Sequence, residues 1–206
     1  MKPDWAVENL QTIRTLMERS AIYRRALAPI MIFAGLLGVA AAALGLLCHL
    51  DSLRAFISFW LGVAVIAVAG AFFIARRQAL KEKEAFWSPP TRRVAQALLP
   101  PLLAGMSLGT LPAFTSGPDE LTMIVTPVWI LFYGCALHAA GFFMPRGIKL
   151  FGWFFIASGC LLSYALMAGL LHGKFSAHWV MGFFFGALHL TYGAYLYLTE
   201  RKNPVT

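Results

Sequence analysis

The chain has 206 residues, of which 59% are hydrophobic and only 13% are charged, and its mean hydropathy is +0.70. A soluble domain is nearer half apolar and about a quarter charged, so we expect the excess apolar surface to face lipid. The net charge of +8 lies in short clusters between long uncharged runs, which favours a membrane protein over a nucleic-acid-binding protein. The three cysteines are an odd number and lie in or beside apolar runs, which argues against a disulfide framework.

The first 25 residues are predicted to form an amphipathic helix on the membrane surface. Their apolar side chains recur at helical spacing, and Asp4 is a suitable N-cap. Such a helix either sets the orientation of the protein or docks a cytoplasmic partner. The apolar residues in question are Ala6, Leu10, Ile13, Met17 and Ala21.

Six uncharged apolar runs follow, and each is close to the ~20 residues that a helix needs to cross a bilayer. Backbone groups in lipid must pair within their own segment, so helices are expected rather than isolated strands. The sequence therefore predicts an all-α, polytopic transmembrane bundle of six helices over residues 26–199, followed by a tail, 200–206. We place the start of the fourth span at Thr126, with Thr126 as N-cap and Pro127 at the first helical position. The predicted spans are 26–50, 55–75, 94–114, 126–144, 150–171 and 179–198.

The cations divide unevenly between the two sides of this arrangement. The segments on the side of the N-terminus hold fifteen lysines and arginines, whereas the opposite side holds only Arg54 and Lys174. Loops rich in lysine and arginine stay in the cytoplasm. The sequence therefore predicts a multi-pass protein of the bacterial cytoplasmic (inner) membrane with both termini inside.

The second, fourth and sixth runs resemble one another. They read "VIAVAGAFFIARR", "CALHAAGFFMPR" and "GALHLTYGAYLYLTER": small residues, a glycine, aromatic residues and then arginine. This pattern predicts three repeated helical hairpins.

Small residues are expected to mark the faces on which helices pack, because close backbone approach supplies the packing energy in lipid. His138 and His189 share faces with such glycines and are therefore expected at helix contacts. The predicted packing residues are Gly105, Gly109, Gly134, Gly141, Gly182, Gly186 and Gly193.

The two intramembrane histidines have three possible roles. An imidazole can join two helices by hydrogen bonds, it can take part in a proton or ion path together with Tyr192, or it can ligate a metal or haem. Cys135 lies three residues before His138, but neither a carboxylate nor a third ligand is near in sequence, so we expect no metal and no haem. Three further histidines, His49, His172 and His178, are expected on the outer side near Cys48. They are either a metal or pH-sensing group or ordinary interfacial residues.

Pro100 and Pro101 lie inside the third run and are expected to kink or interrupt that helix, which makes them a candidate hinge. The chain contains no GxSxG, HExxH, Walker or CxxC motif, and no pair of intramembrane carboxylates. We therefore expect no enzymatic activity.

Four segments together resemble an uncharacterised family of small bacterial six-span integral membrane proteins. They are "ENLQTIRTLMERSAIYRRALAP", "FWSPPTRRVAQALLPPL", "GCALHAAGFFMPRGIKLFGW" and "MGFFFGALHLTYGAYLYLTE", and the resemblance extends over nearly the whole chain. The three-hairpin plan is also similar to that of acid-resistance membrane proteins of the HdeD type. These resemblances imply a helical membrane bundle and carry over no functional residue.

The sequence thus predicts an accessory or regulatory membrane component that is not an enzyme. The first alternative is a small transporter or channel for a neutral solute or protons that uses His138 and His189, and the second is a haem-binding redox subunit. The expected partners are the lipid bilayer, a cytoplasmic or membrane protein, and a second copy of the chain, but no nucleic acid.

Overall fold

The structure, a computed structural model, describes residues 26–81, 83, 85–114, 121–144, 146–171 and 175–202. The regular secondary structure of these residues is entirely helical and includes no strand. The predicted N-terminal amphipathic helix (1–25) and the last four residues of the predicted tail lie outside them. The helices are α1 (Ala26–Leu47), α2 (Leu53–Lys81), α3 (Pro89–Thr110) with a 3-10 turn (Leu111–Phe114), α4 (Leu121–Ala140), α5 (Arg146–Met167), α6 (Ala177–Met181), a π-helical turn (Gly182–Ala187) and α7 (Leu188–Lys202).

Five of the helices, α1 to α5, are long and apolar enough to cross a membrane, with mean hydropathies between 1.4 and 2.5 over their apolar stretches. The prediction of an all-α protein with membrane-length helices is thereby confirmed. The sixth predicted span corresponds to α6, the π-helical turn and α7, which follow one another without a break. The six-span count and the three-hairpin repeat remain predictions.

The bundle has two ends, and each is named here after a connection between helices that lies there. At the α1–α2 end, α1, α3 and α5 finish while α2, α4 and α6 begin. At the opposite α4–α5 end, α2, α4 and α7 finish while α3 and α5 begin. Among the described residues of the helices, Arg54 is the one cation at the α1–α2 end, whereas the other lysines and arginines lie towards the α4–α5 end.

Helix α4 is the centre of the bundle. Of its apolar stretch 44% is buried, against 11% for α2 and for α3, so those two helices are peripheral. Its side chains take part in all three apolar clusters of the core. The first cluster lies at the α1–α2 end around Phe56, Trp60 and Val125, and the second lies at the α4–α5 end around Met31, Leu137 and Ile148. The third, between them, is formed by Ile130, Phe155 and Phe184.

The start of α4 differs from the prediction. The helix begins at Leu121, and Thr126 and Pro127 lie inside it, so the assignment of Thr126 as N-cap is wrong. The hydroxyl of Thr126 donates to the carbonyl of Thr122 one turn earlier, at 2.9 Å, and thus does not cap. The earlier start buries Val125, which is 2% exposed, in the first core cluster.

Helix α3 also begins before the predicted span. Ser88 is the N-cap, with extended backbone, and prolines occupy the first two helical positions, where a missing N–H costs nothing. The hydroxyl of Thr91 donates to the carbonyl of Phe86 at 2.9 Å and fixes the approach to the helix. Pro100 and Pro101 lie within α3, and the helix continues through both, so they do not interrupt it.

The predicted packing glycines lie at three helix contacts. Gly134 of α4 and Gly141, which directly follows α4, face α5, and Gly105 and Gly109 of α3 face α4. Those of the last helical segment, Gly182, Gly186 and Gly193, face α1.

The closest approach joins α1 to the π-helical turn. A Cβ on Gly186 would lie 2.8 Å from the backbone nitrogen of Val39, and one on Gly35 would lie 2.9 Å from the carbonyl of Gly186. Gly38 meets the carbonyl of Phe185 in the same way. Any side chain at these glycines would separate the two backbones.

Helix α1 ends in a backbone turn that positions one carbonyl of the functional site. His49 has a left-handed backbone (φ 50°), its N–H donates to the carbonyl of Leu46, and the N–H of Leu50 donates to the carbonyl of Gly45. This pair of bonds is the Schellman motif. It directs the chain away from α1 just before Leu50, whose own carbonyl bonds to a histidine of α6.

Candidate functional site

His189 is the centre of a buried polar group in the middle of the bundle and is 1% exposed. Its Nδ1 lies 2.9 Å from the carbonyl oxygen of Phe184, and its Nε2 lies 2.7 Å from the hydroxyl of Tyr133. Because a carbonyl oxygen only accepts, Nδ1 carries the ring proton and Nε2 accepts from Tyr133. The imidazole therefore joins α4 to the last helical segment.

The π-helical turn provides the Phe184 carbonyl for this bond. In a π-helix the backbone bonds span five residues, and the N–H of Leu188 accordingly donates to the carbonyl of Phe183. Phe184 and His189 are also five residues apart, and here the side chain of His189 is the donor. Single π-helical turns are frequent at functional sites, so the turn and the histidine mark one candidate site.

Aromatic rings enclose His189. Its ring centroid lies between 5.4 and 6.1 Å from those of Tyr133, Phe151, Phe155 and Phe185. The ring of Phe185 is stacked on the imidazole, with an angle of 20° between the planes. The hydrogen bonds of His189 are thus surrounded by apolar surface, where an unpaired polar group costs most.

His178 is the centre of a second buried polar group, at the α1–α2 end, and is also 1% exposed. The indole N–H of Trp60 donates to its Nδ1 at 3.2 Å, which places the ring proton on Nε2. That proton is donated to the carbonyl of Leu50 at 3.1 Å. The ring connects α2, the α1–α2 turn and α6, whose N-cap, Ser176, accepts from the backbone N–H of His178.

Gly45 makes room for this second histidine. A Cβ at this position of α1 would collide with the imidazole of His178 at Nδ1, the atom that accepts from Trp60. The sequence suggested that His178 was an ordinary interfacial residue or part of an outer group with His49 and His172. Instead, His178 is buried among Phe56, Phe59 and Trp60, whereas His49 is exposed and His172 lies outside the described residues.

His138 lies in a different environment from His189. Its backbone packs against Gly152 of α5, and its half-buried ring contacts the exposed rings of Phe142 and Trp153. Its Nδ1 is buried and has no hydrogen-bond partner. Within the described part of the chain, neither a hydrogen bond nor a ring contact joins His138 to His189.

Tyr192 lies beside the His189 group without bonding to it. Its ring is stacked on Phe151 at 4.7 Å, and Phe151 in turn contacts the ring of His189. The hydroxyl of Tyr192 is buried without a hydrogen-bond partner, and a Cβ on Gly147 would lie 2.5 Å from its oxygen. His189 and Tyr192 therefore share an aromatic neighbour, whereas His138 is separate from both.

The described residues contain no group of three or more histidine, cysteine, aspartate or glutamate side chains that could hold a metal ion. A haem between His138 and His189 would have to replace Tyr133 at Nε2 of His189, since the other ring nitrogen is already bonded to Phe184. It would also have to bridge two rings that lie in separate environments.

A cavity of about 280 Å³ opens between α4, α5 and the last helical segment near the α1–α2 end. Its lining is almost entirely apolar and includes Pro127, Leu166, Trp179 and Phe184. Phe184 connects the cavity to the polar group, because its ring lines the cavity and its carbonyl accepts from His189.

Sequence reasoning identified His189 but missed the residues that bond to it and the whole second group. A signal was present in the composition of the spans. Trp60 and Tyr133 both lie well inside apolar runs, and a buried indole N–H or phenol hydroxyl usually finds a hydrogen-bond partner. The search for partners of these two residues leads to His178 and His189.

Comparison of the chain with models of protein families, with curated proteins and with solved structures finds no match. The resemblances suggested by the sequence therefore remain hypotheses, and the function is argued from the site.

Proposed function

We propose that the protein is a six-span integral membrane protein that acts as a non-enzymatic accessory or regulatory component of the bacterial cytoplasmic membrane. The sixth span would consist of α6, the π-helical turn and α7, which run without interruption from Ala177 to Lys202. The cations at the α4–α5 end favour a cytoplasmic location for that end.

The observation that carries this proposal is the hydrogen bonding of the two buried histidines, His178 and His189. Both ring nitrogens of His178 and both of His189 are engaged in hydrogen bonds that connect different segments of the chain. A histidine whose two nitrogens are committed to such bonds stabilises helix packing and is not free to bind a substrate. A histidine that relays protons, by contrast, needs a proton-exchanging partner at both ring nitrogens. The Tyr133 hydroxyl is such a partner at Nε2 of His189, but the Phe184 carbonyl at Nδ1 is not.

The sparse packing of α2 and α3 favours an accessory role. Large apolar side chains of α2, among them Val65, Val68 and Phe73, are each more than 60% exposed. A peripheral helix of this kind faces lipid in a free protein and is available to another membrane protein.

Proteoliposomes test the proposal directly. With purified protein and a trapped pH-sensitive dye, we expect the rate of proton flux to equal that of protein-free vesicles. A flux that appears with the natural chain and disappears with His189→Phe would overturn the proposal in favour of a proton transporter.

Photocrosslinking tests the accessory role. A photoreactive residue in place of exposed Val65 is expected to give one defined protein adduct in membranes of the natural host, and the same residue in place of buried Ala79 is expected to give none. Lipid adducts alone at position 65 would contradict the accessory role.

A transporter for an uncharged solute is the second candidate, and the cavity beside the π-helical turn favours it. Swelling of proteoliposomes in an isosmotic uncharged solute such as glycerol is its measurement. Leu166→Trp, which would fill the cavity, is expected to slow any specific swelling, and equal rates with and without protein would remove this candidate.

A further inference from the structure

One side of the α4–α5 hairpin carries two aromatic rings, an imidazole and an ammonium group, which we name the hairpin patch. It consists of His138, Phe142, Lys149 and Trp153. The imidazole meets the ring of Trp153 edge-on at 5.0 Å and that of Phe142 at 5.6 Å. The Nζ atom of Lys149 lies 3.8 Å from the centre of the Phe142 ring. Close packing of the two helices, with Gly141 against Lys149 and Gly152 against His138, fixes the arrangement.

The polar groups of the hairpin patch have no hydrogen-bonding or ionic partner among the described residues. Nδ1 of His138 is buried and unpaired, so it cannot reach a ligand outside the bundle. Nε2 is not buried in this way and makes no hydrogen bond with the described residues, so an N–H at Nε2 is available as a donor. The indole N–H of Trp153 and the ammonium of Lys149 are likewise not bonded to any described acceptor or carboxylate. Two N–H donors and one positive charge are therefore available.

The hairpin patch lies at the level where the apolar helices stop. Phe142 is the second residue after the end of α4, and Lys149 is in the first turn of α5. Phe142 is 65% exposed and Trp153 is 54% exposed, so both rings face outward from the bundle. In a membrane this level contains the phosphate groups of the lipids, and tryptophan is enriched there.

We propose that the hairpin patch binds the headgroup phosphate of an anionic phospholipid. The Lys149 ammonium supplies the complementary charge, and the N–H groups of His138 and Trp153 supply hydrogen-bond donors to the phosphate oxygens. The outward-facing rings of Phe142 and Trp153 offer apolar surface to the glycerol and upper acyl chain. This proposal requires only that the protein is embedded in a membrane, as proposed above, and it does not depend on the accessory role.

Native mass spectrometry of the full chain with bound lipid tests the proposal. Protein released from micelles that contain equal amounts of phosphatidylglycerol and phosphatidylcholine is expected to retain phosphatidylglycerol preferentially. Lys149→Gln is expected to weaken phosphatidylglycerol binding about fivefold, the factor that one cation near the surface provides, whereas Lys149→Arg keeps most of the affinity. His138→Phe keeps the aromatic packing and is expected to weaken binding while leaving the melting temperature in phosphatidylcholine unchanged.

The matched control is Arg92→Gln, which removes one exposed positive charge at the same end of the bundle outside the hairpin patch. It is expected to weaken phosphatidylglycerol retention less than Lys149→Gln does, because the charge that it removes does not contact the bound phosphate. Equal loss in Arg92→Gln and Lys149→Gln, or no loss in Lys149→Gln, would overturn the site. Displacement of phosphatidylglycerol by inorganic phosphate would overturn the assignment to a lipid and point to a soluble anion instead.

Discussion

The polar side chains of the apolar helices that form hydrogen bonds do so either within their own helix or with a distant segment. Hydroxyls of the first kind, such as those of Ser163 and Thr191, donate to the carbonyl four residues earlier. Those bonds are local, so they keep a hydroxyl satisfied in lipid without involving another helix. Trp60 and Tyr133 belong to the second kind, and their partners lie 118 and 56 residues away in the chain.

Substitution of Tyr133 by phenylalanine is expected to destabilise the bundle by about 0.6–1.7 kcal/mol, the average and the maximum found for hydrogen bonds between membrane helices. The change removes the hydroxyl, keeps the ring, and leaves Nε2 of His189 without a donor. The free energy of unfolding in mixed micelles is the measurement. The control is Tyr164→Phe, because Tyr164 is 68% exposed on α5 and makes no hydrogen bond with the described residues. Equal stability of the two variants would show that the Tyr133–His189 bond contributes nothing.

The Trp60–His178 bond is best tested by a double-mutant cycle. Trp60→Phe and His178→Phe are each expected to destabilise the protein, and the double variant is expected to lose less than the sum of the two. The difference should be about 1 kcal/mol, since both single changes break the same bond. Trp87→Phe is the control for loss of an indole, because Trp87 is 60% exposed. Additive losses would mean that the two side chains do not interact.

At the residue scale the sequence predicted which polar groups are unusual but not what they bond to. His138 and His189 share the letters Ala-Leu-His, yet one lies half-buried at the periphery and the other lies in the core. Three-residue similarity does not determine which face of a helix meets which neighbour. Likewise, the buried position of His178 depends on Gly45, which follows from tertiary packing alone.

The helices themselves follow closely from the distribution of apolar residues, and their ends follow less well. The start of α4 was predicted from Thr126-Pro127, a good local capping signal, but burial of apolar side chains extended the helix to Leu121. At the start of α3 the local capping signal was correct, and the apolar run used for the prediction began too late. Ser88 and the two prolines form an N-terminal signal that lies before the apolar run. Hydropathy finds the membrane-length part of a helix and leaves out its polar turns.

Substitution by alanine is expected to destabilise the protein at a glycine in a helix contact, but not at a glycine with open space around it. At Gly186 a Cβ would lie 2.8 Å from the Val39 backbone nitrogen, so Gly186→Ala should separate α1 from the π-helical turn and cost about 1–3 kcal/mol. At Gly62 of α2 a Cβ would meet nothing within 4 Å, so Gly62→Ala should be neutral or stabilise by up to about 1 kcal/mol, because alanine favours the helix. Thermal unfolding of both variants is the measurement. A loss of stability in Gly62→Ala that matches that of Gly186→Ala would refute this account of the contacts.

For the whole molecule, the uneven distribution of cations is the feature with the most direct experimental test. The exposed thiol of Cys48, at the α1–α2 end, is expected to react with a membrane-impermeant maleimide in spheroplasts. A variant with Cys48→Ala and Ala85→Cys places the thiol between α2 and α3 at the opposite end, where we expect labelling only after permeabilisation. Labelling of position 85 in intact spheroplasts would reverse the proposed orientation.

Composition and hydropathy alone thus predicted the helical class and the membrane-length segments, because both depend on sums over many residues. The central position of α4 was not predicted, because hydropathy does not single it out: its apolar stretch averages 1.6, within a range of 1.4 to 2.5 for the five helices. What distinguishes α4 is the number of neighbours it contacts, including Trp60 and Phe56 of α2 through its own Val125 and Trp129. The arrangement of neighbours is a property of the folded molecule.

The contact between α1 and the π-helical turn has a consequence for biosynthesis. Because the chain is synthesised from its N-terminus, α1 is made long before Gly186, so its glycine face at first lacks its partner. Completion of the bundle is therefore a late event that follows release of the nascent chain's last helical segment. Until then the glycines of α1 have no backbone to pack against, and a chain that ended before Gly182 would lack this contact altogether.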